Sequence, residues 1–224
     1  MRAIFLFILS LCFLFLSVAF GTSAYEYVIA QTFDPKVFSF AGWGALGFFI
    51  LRIVLLFLNR NLDFFDTFCH ELNHTLFALL SFYKIESFFA HAEKGGNVTF
   101  RGEANPVIAL APYSFPLFAF FTALLSLILI PQARTVAQVL VGFFLAFHVG
   151  SVLRNARPRQ TDLQLYGYLF SYSAVIFFNL FWIPFVLLTS VFGIDGGLGW
   201  CKAGLSVAAD RIFSFWRLVC SAWV

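Results

Sequence analysis

A chain of 224 residues with 61 % apolar and 21 % aromatic side chains, only 11 % charged ones and a formal net charge of +3 lacks the polar surface of a water-soluble domain. The mild charge, with no basic block and no interleaving of basic and aromatic residues, points away from nucleic acid. Cys12, Cys69, Cys201 and Cys220 are scattered with no C-x-x-C pair, which argues against a disulfide framework or a thiolate metal site.

A helix that crosses a bilayer takes about 20 mostly apolar residues. In chain order the segments that qualify are Ala3 to Phe20, Val37 to Leu58, Phe64 to Tyr83, Pro106 to Ile130, Thr135 to Leu153 and Leu163 to Val191. The loops between them are too short for a second globular unit. The expected fold is therefore all-α and polytopic, a single integral membrane domain over residues 1–224 with about six transmembrane helices. Residues 1–24 read as a retained first span, because the apolar core of about 18 residues exceeds the 7 to 15 usual for a signal; the alternative is a secretory signal cleaved after the small residues that precede Tyr25. Residues 196–224 read as an interfacial tail, because Asp210 and Arg211 would otherwise lie near mid-membrane. Lys and Arg balance between alternate loops, so the positive-inside rule sets no orientation.

The third segment contains "FCHELNHTL", with His70, Glu71 and His74 spaced as H-E-x-x-H. Residues four apart share one helical face, so both imidazoles can bind one zinc ion and Glu71 can act as a general base beside it. Chance alone would produce the pattern on the order of once in several hundred such sequences. An ionisable group at the centre of a span costs about 2.5–3.5 kcal/mol on the insertion scale, and Asp63, Asp66, His70, Glu71 and His74 crowd one segment. Such crowding suits a polar cavity inside the bundle, and the alternative is a polar helix face closed by its own hydrogen bonds.

Catalytic zinc generally takes three protein ligands and keeps a position open. Asp66 is too distant to be the third, since it lies eight residues, or about 12 Å along the helix axis, from His74. It suits a position behind the metal, accepting from the His70 ring, or simply interfacial water. Three candidates remain: Asp162 in "RQTDLQLYG", His148 in "AFHVGS" and His91 in "FFAHAEKGG". Each has an ordinary alternative, respectively a helix cap, a core histidine and a solvated loop residue.

Between the third and fourth segments, Gly95 and Gly96 followed by "NVTF" predict a short β-hairpin whose edge could pair with an extended peptide. Asn105-Pro106 marks the return to the membrane. Asn179, in apolar surroundings, suits either substrate positioning or a bridge between helices.

H-E-x-x-H on a membrane helix, the Gly-Gly hairpin, "NPVIALAPYSFP" and the later "QTDLQLYG" together resemble the site-2 protease family of intramembrane zinc metalloproteases, in particular its compact bacterial branch without a PDZ domain. The likeness covers roughly residues 63–184. It implies a Zn2+-dependent endopeptidase acting on transmembrane protein or peptide substrates in a bacterial inner membrane. His70 and His74 would be ligands, Glu71 the base, and Asp162 the counterpart of the family's later aspartate ligand. Two departures stand out: Asn73 replaces the glycine usual before the second histidine, and the N-x-x-P-x-x-x-x-D-G signature is absent. Asn73 and Asn179 accordingly join Asp66 as residues that support the metal or the substrate. The competing expectation is a non-proteolytic zinc-binding membrane protein or zinc carrier, although few ionisable groups lie outside the third segment to form a path.

Overall fold

The computed structural model describes residues 2–26, 35–103 and 105–221, so the last three residues of the expected tail lie outside it. Helices α1 (Arg2–Tyr25), α2 (Pro35–Phe57) and α3 (Asp63–Leu80) are followed by strands β1 (Lys84–His91) and β2 (Gly95–Arg101). Then come α4 (Pro106–Ser114), α5 (Leu117–Ser126), α6 (Pro131–Asn155), α7 (Thr161–Gln164), α8 (Tyr168–Phe192) and α9 (Ile194–Ser221).

Among the described residues four helices, α1, α2, α6 and α8, are long and apolar enough to cross a membrane, or five spans if α4 and α5 count as one bent span. This corrects the expected six in three places. The third segment forms α3, but Asp63, Asp66 and Glu71 together with two imidazoles dilute its apolar character below that of a span. The fourth breaks at Phe115–Pro116 into two helices bent by 74°. The sixth splits into α7 and α8 at Gly167, whose φ of +83° suits a residue without Cβ and ends a right-handed helix.

Many large apolar side chains lie on the exterior. Ile4 and Phe5 on α1 and Phe49, Ile53 and Leu56 on α2 are exposed, as expected of faces that meet hydrocarbon rather than water. With lipid outside, close packing and internal hydrogen bonds must hold the helices together. Helices α2 and α6 approach closely because a Cβ on Gly142 would overlap the Ala41 carbonyl. Phe20 of α1 lies edge-on to Phe177, Phe181 and Trp200, joining α1 to α8 and α9. Trp200 is fully buried and donates its indole N–H to the Phe181 carbonyl at 3.0 Å. Trp200→Ala is therefore expected to cost about 3–5 kcal/mol, read as a lowered melting temperature in detergent. Trp216→Ala, on the exposed outer part of the same helix, should leave that temperature unchanged.

The hairpin is antiparallel, running from Lys84 opposite Arg101 to His91 opposite Gly95, with a register shift between Ile85 and Ser87. It lies on α3, where the Phe88 and Phe68 rings meet at 5.7 Å. That placement brings β2 alongside the H-E-x-x-H face.

Candidate metal centre

Pro112 within α4 and the α4–α5 break each free a backbone carbonyl that helps to organise the site. Asn105 caps α4, its side-chain oxygen accepting from the Ile108 N–H at 2.9 Å, and Pro106 occupies the first turn, where no N–H is missed. In an unbroken helix the Ile108 carbonyl would accept from residue 112, but that residue is Pro112 and has no N–H. The freed carbonyl accepts instead from His74 Nδ1 at 2.9 Å. This bond fixes the tautomer, leaving Nε2 as the lone-pair nitrogen. The Tyr113 carbonyl is freed by the break itself, where the Leu117 N–H turns to the Phe115 carbonyl. It accepts from Asn179 Nδ2 at 2.7 Å.

His70 and His74, one turn apart on α3, bring their Nε2 atoms to 3.2 Å from each other. Asp162 reaches both from α7, with Oδ2 3.5 Å from each Nε2. Helix α7 has only four residues, and the fully buried Leu163 beside Asp162 anchors it in the core formed with Tyr113, Tyr166 and Phe170. Burial alone would push the Asp162 carboxyl up, but hydrogen bonds and charge from His70 and His74 outweigh it and hold the group well below the usual carboxylate range.

The donor set fits zinc. Ligand atoms at about 2.0–2.1 Å from a tetrahedral centre lie about 3.3–3.4 Å apart. The three separations of 3.2, 3.5 and 3.5 Å bracket that value, and nitrogen and carboxylate oxygen are donors zinc accepts. Among the described residues these three form the group of His, Cys, Asp and Glu side chains that could hold a metal ion.

Glu71 is buried beside the two imidazoles, and β2 closes over it. A Cβ added to Gly96 would overlap the Glu71 carboxyl, so the strand can approach this closely only where the side chain is a hydrogen. Two cavities meet here. One of about 540 Å³ is lined by Asp63, Asp66, His70, Glu71, Arg154 and Arg157. The other, about 370 Å³, holds His74, Asp162, Asn97, Val98 and Phe100 together with His70 and Glu71.

The remaining candidates lie outside the group of three donors. Asp66 forms an ion pair with Arg154 of α6, a partner the sequence reading did not identify. Asn73 is buried and donates to the Cys69 carbonyl at 3.1 Å. His148 is buried on α6 and donates from Nε2 to Asn179 Oδ1 at 2.9 Å, while Asn179 ties α8 to the α4 backbone. At the hairpin turn, His91 Nδ1 accepts from the Glu93 and Lys94 N–H groups. Tyr113, absent from the sequence-based candidates, donates its hydroxyl to Asp162 Oδ2 at 3.2 Å and meets the His70 ring edge-on at 5.2 Å. Its only signal in the sequence is the position directly after Pro112, which marks irregular backbone beside the H-E-x-x-H face.

Residues 41–194 match the family described as Peptidase M50B-like, whereas no curated protein and no solved structure matches the chain. The matched region exceeds half of the chain and contains α3, the hairpin, the broken α4–α5 pair and Asp162, with no PDZ domain evident. The chain is thus an integral membrane protein that belongs to the Peptidase M50B-like family, the site-2 protease type of membrane metallopeptidase.

Proposed function

We propose that the protein is a zinc-dependent endopeptidase that hydrolyses peptide bonds of membrane-embedded substrates, with the bacterial inner membrane as its setting. The observation that carries this reading is the mutual 3.2–3.5 Å spacing of His70 Nε2, His74 Nε2 and Asp162 Oδ2 with the buried Glu71 carboxyl beside them. Zinc, when bound by these three residues, supplies a Lewis acid that polarises the scissile carbonyl and acidifies water.

The rest is the work of the chain. Glu71 takes a proton onto a carboxylate oxygen from the attacking water, then delivers it to the nitrogen of the leaving amine. The Ile108 carbonyl holds the His74 ring so that Nε2 is turned toward His70 Nε2 and Asp162 Oδ2, where it would serve as a zinc ligand. The cavity lined by Asp63, Asp66, Arg154 and Arg157 admits water to a centre otherwise enclosed by apolar helices. The edge of β2 not paired with β1 offers N–H and C=O groups to a peptide in extended form, and Asn97, Val98 and Phe100 share a cavity with the metal-binding residues. A helical substrate must unwind to use that edge, because its peptide groups are already bonded within the helix.

Gly96→Ala tests the fit of β2 against Glu71. The added methyl must displace either the strand or the carboxyl, at a cost of about 1–3 kcal/mol for overpacking. Initial rates in detergent should fall by about tenfold or more, with zinc content unchanged.

The function itself is tested in proteoliposomes with a pooled set of single-span peptides, followed by mass spectrometry of the products. New termini at defined bonds, lost on chelation and restored by added zinc, are expected. Zinc-loaded protein that leaves every peptide intact, or the same products from Glu71→Gln as from wild type, would contradict the reading.

A further inference from the structure

We propose that Tyr113 is a positioning residue for the metal centre, its hydroxyl holding the Asp162 carboxylate in the orientation that faces both imidazoles. The inference rests on the reading of His70, His74 and Asp162 as a zinc site.

Asp162 is the ligand least secured by its own element. His70 and His74 project from an 18-residue helix, whereas Asp162 sits on a single helical turn, Thr161–Gln164, between the Pro158–Gln160 loop and the turn before Gly167. Leu163 anchors the backbone, but the carboxylate can still turn about two side-chain torsions. Among the described residues, the one side-chain hydrogen bond to Asp162 from outside the candidate ligand set is that of Tyr113, 3.2 Å from the same Oδ2 that lies 3.5 Å from each histidine. A buried phenol needs a hydrogen-bond partner, and Tyr113 is 1 % exposed, so this bond satisfies both groups.

Tyr113 is itself braced. Its ring meets the His70 imidazole edge-on, which limits ring movement toward the second ligand. Its carbonyl, freed by the α4–α5 break, accepts from Asn179 Nδ2 at 2.7 Å. Asn179 Oδ1 in turn accepts from His148 Nε2 at 2.9 Å. A hydrogen-bonded line thus runs from α6 through α8 to the α4 backbone, and the Tyr113 ring and hydroxyl carry it to Asp162 on α7. Asn179 and His148 act at the far end of that line, away from the ligand atoms.

The test is the zinc dissociation constant of the detergent-purified full chain, measured by competition with a colorimetric chelator, alongside the melting temperature of the metal-free protein. Tyr113→Phe keeps the ring and removes only the hydroxyl. Its zinc affinity is expected to fall by about 10- to 100-fold, the usual effect of losing a group that orients a metal ligand, with the metal-free melting temperature nearly unchanged. Tyr172→Phe is the control, because it removes a hydroxyl bonded to the Ala156 carbonyl and has no bond to Asp162. Its affinity should stay within about twofold of wild type, below the range that a lost orienting group produces. Wild-type affinity in Tyr113→Phe, or equal weakening in both variants, would overturn the positioning role and leave the metal site intact. Failure of wild type to bind zinc would overturn both.

Discussion

Glu71→Gln is expected to lower peptide cleavage by about 10²- to 10⁴-fold, the range for losing a general acid–base, while the protein keeps its zinc. The substitution preserves size and removes the basic oxygen, so it leaves His70, His74 and Asp162 free to hold the metal. Glu71 is buried beside both imidazoles, and among the described residues the other carboxylate of that cluster, Asp162, is a candidate ligand and so unavailable as a substitute base. The same variant separates an enzyme from a carrier. A protein that merely binds or moves zinc has no need of a base at position 71, and its zinc uptake into vesicles would survive the change. Cleavage at the wild-type rate by zinc-loaded Glu71→Gln would remove Glu71 from the mechanism.

Asp162→Ala should weaken zinc binding by more than about 100-fold, beyond the cost of losing an orienting group alone. It removes one of three donors and leaves two imidazoles that must complete the coordination from solvent. His148→Ala and His91→Ala provide the contrast, because both stood in the sequence as alternatives to Asp162 for the third ligand. His148 bonds to Asn179, and its loss leaves the amide oxygen of the half-buried Asn179 without that donor, at a cost of about 1–3 kcal/mol in stability, with zinc retained. His91 ties together the hairpin turn, and its loss should leave zinc unchanged. Zinc lost from His148→Ala at an intact melting temperature would reassign the ligand.

How much of this was legible in the sequence follows from range. His70, Glu71 and His74 lie within one helical turn, so their spacing alone determines that they share a face. Asp162 lies 88 residues after His74, and only the tertiary arrangement distinguishes it from His148 and His91. The long apolar helices are readable from composition, whereas the breaks at Phe115–Pro116 and Gly167 leave the apolar count of their segments unchanged. Pro112 and Pro116 were visible within the fourth segment, and their effect on the carbonyls of Ile108 and Tyr113 emerges only when the structure supplies His74 and Asn179 as new donors. Tyr113 was hidden because a tyrosine in an apolar run looks like packing. The ion pair of Asp66 escaped for a similar reason: Arg154 is 88 residues away, at the end of α6. The apolar count for the third segment overstated it, since three carboxylates and two imidazoles make α3 a helix for the interior of a bundle rather than for lipid.

The central claim is that His70, His74 and Asp162 hold a catalytic zinc ion, and elemental analysis of detergent-purified wild type and His74→Ala tests it most directly. Because His74 supplies one of the three donors and is fixed by the Ile108 carbonyl, its removal should abolish the site without disturbing the spans. About one zinc per chain in wild type, lost in His74→Ala at equal yield and melting behaviour, is the predicted result. Wild type that carries no zinc after equilibration with excess metal would contradict the account and leave the α3 cluster a buried polar face.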